Sequence, residues 1–223
     1  MTTHSLQPDT ALAAVKAAIA QSEKIAGRAA GSTQLIAISK TKPVEAIETL
    51  IDQGHKLFGE NRVQEAAAKF PRLRERYPDL ELHMVGQLQS NKADDAVALF
   101  DCIHSLDRLS LAKALAAAMD KSGKRVPCFV QVNIGAEEQK GGCAIADLPA
   151  LLAKAHALGL PIIGLMAVPP ADGEPSPYFA LLAKLARDAG LDQLSIGMSG
   201  DFESAVRIGA THVRIGSALF GAR

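Results

Sequence analysis

QLIAISKTKP, residues 34–43, is the stretch on which the fold turns. Residues 34–39 form a short, mostly apolar run of the kind buried on both faces of a parallel sheet. Lys40 closes the run, with Lys42 and Pro43 just behind it. Pro43 then opens a segment in which Val44, Ile47, Leu50 and Ile51 recur at helical spacing, and Gly54 stops it. Lys40 is therefore expected where a buried strand gives way to a helix. In parallel α/β folds that edge is where ligands bind. A lysine desolvated there gives up its proton more readily and becomes a nucleophilic amine. Taken alone, Lys40 is better read as a solvated loop lysine; the rest of the chain shifts that balance.

The alternation of strand, loop and helix repeats along the whole sequence. A first helix is expected from a cap at Asp9 or Thr10 to about residue 28, with Leu12, Val15 and Ile19 on one face. Strands are predicted at 34–39, 56–58, 81–85, 101–105, 126–134, 161–168, 194–196 and 212–215. Helices are predicted after them at 43–54, 62–76, 91–99, 107–119 and 146–158, beyond the Pro-rich loop 169–177 to about residue 188, and at 202–208, with GSALFG following the last strand. Eight units of about 25 residues sit near the lower end of the size of a (β/α)8 barrel. A doubly wound open sheet is the rival, and the absence of Gly-x-Gly-x-x-Gly after the first strand weighs against its dinucleotide-binding form. The expected fold is α/β, a single TIM-type barrel over residues 1–223, with residues 1–30 packing on it as an extra N-terminal helix.

Composition narrows the function. Among 223 residues, 24 Lys and Arg balance 24 Asp and Glu, which gives no electrostatic footprint for nucleic acid or an anionic membrane surface. Cys102, Cys128 and Cys143 are odd in number and lack CxxC spacing, which argues against a disulfide framework and fits a reducing compartment. No apolar run approaches the roughly 20 residues that span a bilayer. MTTHSLQPDT lacks a basic stretch followed by an apolar core, so no secretory leader is expected and the cytoplasm is the expected location.

Two loops carry the chemistry. After the seventh and eighth predicted strands stand Gly197-Met198-Ser199-Gly200 and Gly216-Ser217-Ala218. Barrels often hold phosphate at these two positions. Both loops are small and glycine-rich, so backbone N–H groups can approach an anion, and each opens a helical segment whose dipole favours negative charge. Each loop alone is ordinary turn chemistry; the pair points to phosphate binding. Arg214, within the eighth strand, needs either a carboxylate such as Asp201 or Glu60 or a ligand beside the cradle. An amine, a phosphate cradle and an arginine around one barrel mouth suit an aldehyde-bearing phosphate compound, with pyridoxal 5′-phosphate the obvious one.

The sequence resembles the pyridoxal phosphate homeostasis proteins of the YggS/PROSC type over nearly its whole length. The marks are AISKTKP at 37–43, FGEN at 58–61, HMVGQLQSNK at 83–92, GLMAVP at 164–169, SIGMSGD at 195–201 and VRIGSALFGAR at 213–223. The resemblance implies the fold-type III barrel shared with the N-terminal domain of alanine racemases. It implies that Lys40 carries the cofactor as a Schiff base and that Ser199, Gly216 and Ser217 hold its phosphate. By the same resemblance Arg214 faces the pyridine nitrogen and Asn61 lies near the ring. Phe202 where Met is common, and Ser217 where Thr is frequent, are mild departures. Residues 133–142 keep Asn133, Glu137, Lys140 and Gly142 in a looser pattern, and relatives commonly run several residues beyond GAR.

An arginine at the pyridine nitrogen only donates, so that nitrogen stays unprotonated and the ring is a weaker electron sink. Racemases of this fold add a tyrosine from a second domain. No length remains for one here, and Tyr77 and Tyr178 fall in predicted loops not placed to face Lys40. The expected function is therefore binding and delivery of pyridoxal phosphate with little or no turnover. Pyridoxal-phosphate-dependent apo-enzymes would be the acceptors, and a monomer is expected. An amino-acid racemase, and a Schiff-base aldolase or phosphate-metabolite isomerase, are the alternatives. His83 reads as a hydrogen-bonded core histidine, and His55, His104, His156 and His212 are too dispersed along the chain to argue a metal site. Gln89, Asn91 and Lys92 read as caps, and Lys140 as a solvated loop lysine or a second amine for cofactor transfer.

Overall fold

A computed structural model describes residues 10–221; Asp9, the segment read for a leader, and the final Ala222 and Arg223 lie outside the described residues. The chain runs α1 (Ala11–Ile25), β1 (Gln34–Ile38), α2 (Val44–Asp52), β2 (Leu57–Glu60), α3 (Val63–Arg76), β3 (Glu81–Met84), α4 (Ala93–Leu99) and β4 (Cys102–Leu106). It continues through α5 (Leu109–Ser122), β5 (Cys128–Gln131), α6 (Leu148–Ala157), β6 (Ile162–Met166) and α7 (Ser176–Asp188). The final turn of the barrel is β7 (Gln193–Ser195), α8 (Phe202–Ile208), β8 (His212–Ile215) and α9 (Ser217–Phe220). All strands pair in parallel and in sequence order, and β8 pairs with β1 to close the barrel. The expected (β/α)8 fold with an additional N-terminal helix is the one observed.

Strand periodicity divides the interior into two regions. Leu35 and Ala37 of β1, Leu82 and Met84 of β3, and Val213 and Ile215 of β8 face outward into a continuous apolar layer beneath the helices. The residues between them point into the barrel. There the apolar part is small, built on Cys102, Phe129 and Met166. The remaining interior is polar, with His83, His104, Ser195, His212 and Arg214 all buried.

α1 lies against α8 and buries Leu12, Val15 and Ile19. Thr10 caps it, its Oγ1 accepting from the Ala13 amide at 3.2 Å. Glu23, buried in the last turns, accepts from the amides of Gly31 at 2.9 Å and Thr33 at 2.7 Å and so folds the connection into β1. Arg28 donates to the Val206 carbonyl at 2.7 Å and ties that connection to α8.

Several boundaries differ from the sequence reading. β2 runs through Gly59 and Glu60, expected as loop; at Gly59 a Cβ would come within 2.7 Å of the Ile38 side chain and 2.8 Å of that of Ile36, so glycine leaves room for both isoleucines. β5 ends at Gln131; the next residue, Val132, still donates to the Met166 carbonyl of β6 at 2.9 Å and also bridges Cys143. The segments before α4 and α6 open as 3₁₀ turns, Ser90–Lys92 and Ile145–Asp147. Gln89 and Lys92 occupy cap positions there without a side-chain cap bond, and Asn91 lies inside the turn. Tyr178 belongs to the first turn of α7 rather than to a loop.

Gly164 on β6 is tightly enclosed: a Cβ would lie 2.2 Å from the Gln193 carbonyl oxygen and 2.7 Å from the Phe129 ring. Gly164→Ala is expected to cost at least about 1–3 kcal/mol of stability through overpacking. Urea denaturation reads it directly; an unchanged midpoint would show that β6 and β7 can part without cost.

Candidate functional site

The turn after β1 is held from behind by charges that the cavity does not see. Ser39 donates its hydroxyl proton to Glu60 Oε1 at 2.7 Å, and Lys69 of α3 lies 2.5 Å from the same oxygen. Lys69 also donates to the Ser39 carbonyl at 3.0 Å and to Glu65 Oε1 at 2.9 Å. Glu65 in turn accepts from the Thr41 amide. That bond holds Thr41 at φ 61°, a left-handed conformation that a β-branched residue rarely adopts. Glu60 is fully buried, and burial pushes its carboxyl up from the ordinary range while Lys69 and Ser39 pull it down. The product is a rigid turn with Lys40 half-buried at its apex.

The facing wall comes from the loops after β7 and β8. Gly197, at φ 91°, lets the first loop turn sharply, and a Cβ there would sit 2.7 Å from that of Ala205. Asp201 accepts from the Met198 amide at 2.6 Å and closes the loop on itself. Ser199 Oγ accepts from the amides of Gly216 at 3.3 Å and Ala218 at 3.4 Å, so one hydroxyl and two N–H groups converge across the two loops. α8 and α9 have only seven and four residues, so these N–H groups themselves, more than the expected helix dipoles, make the cradle.

Arg214 makes neither of the ion pairs considered from sequence. Glu60 belongs to Lys69 and Asp201 to its own loop. The guanidinium is fixed instead by neutral oxygens: the Ser195 carbonyl at 2.5 Å, the Ser195 hydroxyl at 2.7 Å and the Ala167 carbonyl at 2.9 Å. Burial lowers its pKa to about 10, so it stays charged at neutral pH. Among the described residues it is a buried cation with no carboxylate in contact, and it faces the cavity.

That cavity, about 470 Å³, opens at the C-terminal ends of the strands. Lys40, Asn61, Ser199, Arg214, Gly216 and Ser217 all line it, so the structure brings every sequence-nominated site residue to one place. Ile38, Val85 and Val168 supply the apolar wall. Gly86 is what brings Asn61 in, since a Cβ there would fall 2.3 Å from the Asn61 carbonyl oxygen. Lys42 also lines the cavity while donating to the carbonyls of Phe220 at 3.1 Å and Gly221 at 3.3 Å, which laces the rim to the end of the described chain. Lys140 is not among the lining residues. It lies 2.6 Å from Glu137 and donates to the Pro169 carbonyl at 2.7 Å.

His83 is the hydrogen-bonded core histidine expected, and three histidines dispersed along the chain come together in space. His83, His104 and His212, far apart in the chain, gather inside the barrel with ring centroids 4.9–6.0 Å apart. His83, Cys102 and His104 place possible metal-ligating atoms within 4.8 Å of one another. Their facing nitrogens, His83 Nδ1 and His104 Nε2, hydrogen-bond to each other at 3.0 Å, and burial pushes the Cys102 thiol well above its usual range. The signal was present in the sequence as polar residues at inward strand positions: His83 between Leu82 and Met84, and His104 two residues after Cys102.

Fold and cavity together define a barrel protein that presents a lysine and an anion cradle at one mouth. The family described as "Alanine racemase, N-terminal domain" matches residues 11–223. A pyridoxal phosphate homeostasis protein of Pseudomonas aeruginosa is 41% identical over 220 residues, covering 95% of this chain and 94% of that protein. Its Escherichia coli K12 counterpart is 38% identical over 222 residues, with 95% of each chain covered. PipY of Synechococcus elongatus, solved with PLP bound, shares 39% identity at a TM-score of 0.79, covering 91% of this chain and 100% of that one. An alanine racemase of Clostridium difficile, at 14% identity and TM-score 0.70, shares the fold across 93% of this chain and 56% of its own. The chain belongs to the alanine racemase N-terminal-domain family and, within it, to the pyridoxal phosphate homeostasis proteins.

Lys69→Ala is expected to destabilise the fold by about 3–5 kcal/mol, because it leaves Glu60 as an unpaired buried charge. Lys69→Met with Glu60→Gln is expected to recover most of that loss in thermal or urea unfolding. A double variant as unstable as Lys69→Ala alone would show that shape rather than charge holds the turn.

Proposed function

We propose that this chain binds pyridoxal 5′-phosphate at the barrel mouth, with Lys40 as the attachment point, and serves its homeostasis and delivery with little or no turnover. The observation that carries this reading is the buried, carboxylate-free Arg214 facing a cavity that also holds Lys40 and the Ser199–Gly216–Ala218 convergence. The names of the Pseudomonas and Escherichia relatives, and the PLP-bound PipY, support it. The cavity volume lies within the range of small-molecule sites.

When bound, the cofactor supplies an aldehyde that condenses reversibly with a primary amine. The residues present fit its other features. Ser199, Gly216 and Ser217 are assigned to the phosphate, Asn61 to the ring, and Arg214 to the ring nitrogen. A guanidinium can only donate, so it keeps that nitrogen unprotonated and limits how far the ring can withdraw electrons. Ile38, Val85 and Val168 exclude water from one side of the site.

The lining supports low turnover, since beside Lys40 it presents no carboxylate, imidazole, thiol or phenol among the described residues. Tyr77 and Tyr178 are not lining residues, so the racemase alternative lacks a base opposite Lys40. The whole chain acts in this reading as one cofactor-binding domain, monomeric and cytoplasmic, with pyridoxal-phosphate-dependent apo-enzymes as acceptors.

The test is an absorbance spectrum of the full-length protein with pyridoxal phosphate, before and after borohydride, with peptide mapping of the reduced adduct. A visible band lost on reduction, with the label on Lys40 and absent from Lys40→Ala, is the expected result. Label spread over surface lysines would sink the proposal. Arg214→Leu is expected to weaken binding by tenfold or more, the scale of a buried charge-assisted hydrogen bond.

A further inference from the structure

An unbroken line of polar side chains crosses the barrel interior beneath the cavity. Arg214 Nη1 donates to Ser195 Oγ at 2.7 Å, and Ser195 Oγ lies 2.8 Å from His104 Nδ1. His104 Nε2 lies 3.0 Å from His83 Nδ1, and His83 Nε2 lies 2.9 Å from Glu81 Oε1. The four residues from Arg214 to His83 are buried, whereas the Glu81 side chain is 52% exposed. Glu81 stands at the opposite end of the barrel and lines a second cleft of about 480 Å³ together with Lys16, His55 and Lys56.

With neutral rings between them, the two ends set the direction of every bond. A guanidinium can only donate and an ionised carboxylate can only accept. Ser195 accepts from Arg214 and turns its own proton to His104 Nδ1. His104 therefore carries its proton on Nε2 and donates to His83 Nδ1. His83 then carries its proton on Nε2, facing Glu81. The reverse order would set a lone pair of His83 against the carboxylate.

We propose that this chain is a through-barrel relay in which Glu81 sets the tautomers of His83 and His104 and, through Ser195, the polarisation of Arg214. His83, His104 and Ser195 are then positioning residues for the cavity-facing guanidinium, and Glu81 is its remote counter-charge. Hydrogen-bond chains of this kind strengthen cooperatively in a low-dielectric interior. The effect on ligand rests on the reading of the cavity as a pyridoxal phosphate site; the tautomers do not.

Charges off the line act through space on its ends, Asp201 on Arg214 and Arg74 on Glu81. From β4, Cys102 faces the line as a thiol, and from β5, Phe129 stacks on His104 at 4.3 Å between centroids. From β8, His212 faces both rings; burial pushes its pKa down to about 3, so it is neutral, and Thr211 Oγ1 lies 2.9 Å from its Nδ1. Burial, reinforced by His83, His212 and Arg214, holds His104 well below its usual pKa and therefore neutral. Glu81 is held below the ordinary carboxylate range, first by its bond to His83, with His212 and Arg74 of α3 contributing. The line thus carries a cation at one end and an anion at the other, with a neutral His104 between them.

The experiment is long-range proton–nitrogen correlation on the full-length protein with ¹⁵N-histidine, recorded without added cofactor near neutral pH. His83 and His104 are both expected as neutral Nε2–H tautomers. Glu81→Gln, at an exposed position, is expected to shift the ring nitrogens of His104, which residue 81 does not touch. The same variant is expected to weaken pyridoxal phosphate binding roughly threefold or more, the size of a coupling within one hydrogen-bond network. With Ser195→Ala in the background, Glu81→Gln should have no further effect on binding. An Nδ1–H tautomer at either histidine in the parent protein, or unchanged His104 nitrogens in Glu81→Gln, would overturn the relay. Correct tautomers in a protein that fails to bind pyridoxal phosphate would count against the cofactor reading and leave the relay standing.

Discussion

The pairing of β8 with β1 is the constraint on which the site depends. Its register sets Ile36 beside Arg214 and Ala37 beside Ile215. It therefore carries the residues that follow each strand, Lys40 on one side and Gly216 and Ser217 on the other, to adjacent points of the mouth. Residues about 175 positions apart become neighbours without any direct bond between them. A slip of one residue would turn Arg214 outward into the apolar layer and aim Val213 or Ile215 at the cavity. The outward packing of Val213 and Ile215 beneath the helices opposes that slip. Much of the precision of the site is thus supplied by apolar residues that never touch it.

The polar interior then becomes intelligible. A barrel of this size is usually filled with branched apolar side chains. Here Phe129, Met166 and Cys102 fill part of it, and the remainder holds Arg214 with its neutral oxygen partners and the histidine line. A buried cation needs compensation. The Ser195 and Ala167 carbonyls provide it nearby, and Glu81 lies at the far end of the same chain of hydrogen bonds.

The sequence was most legible where one local pattern determines both conformation and environment. α8 and β8 appear at their expected bounds because a Gly-rich loop precedes α8, Gly209 follows it, and Val213 and Ile215 alternate with polar residues in the strand. Lys40 and the two loops were legible because strand ends and small-residue turns are written locally. Lys69 was not: it occupies a helix position like any surface lysine, and only the approach of α3 to the β1 turn buries it against Glu60. The histidine cluster was illegible for a related reason. Distance along the chain says nothing about distance across a closed barrel, where β3, β4 and β8 aim their inward residues at a common axis. Inward polar residues in each strand were the available clue, and reading them required treating the strands as staves of one cylinder.

The way Arg214 is anchored also bears on how long the protein lasts in a cell. Its charge is met by carbonyl and hydroxyl dipoles rather than by a carboxylate, so an anionic or electron-rich ligand completes what the fold leaves partly compensated. Any ligand that binds the native state and not the unfolded chain shifts the folding equilibrium by mass action. A barrel of this design is sturdier loaded than empty, and unfolded chains are what proteases remove first. The supply of the molecule it holds is thereby one of the terms that set its stability.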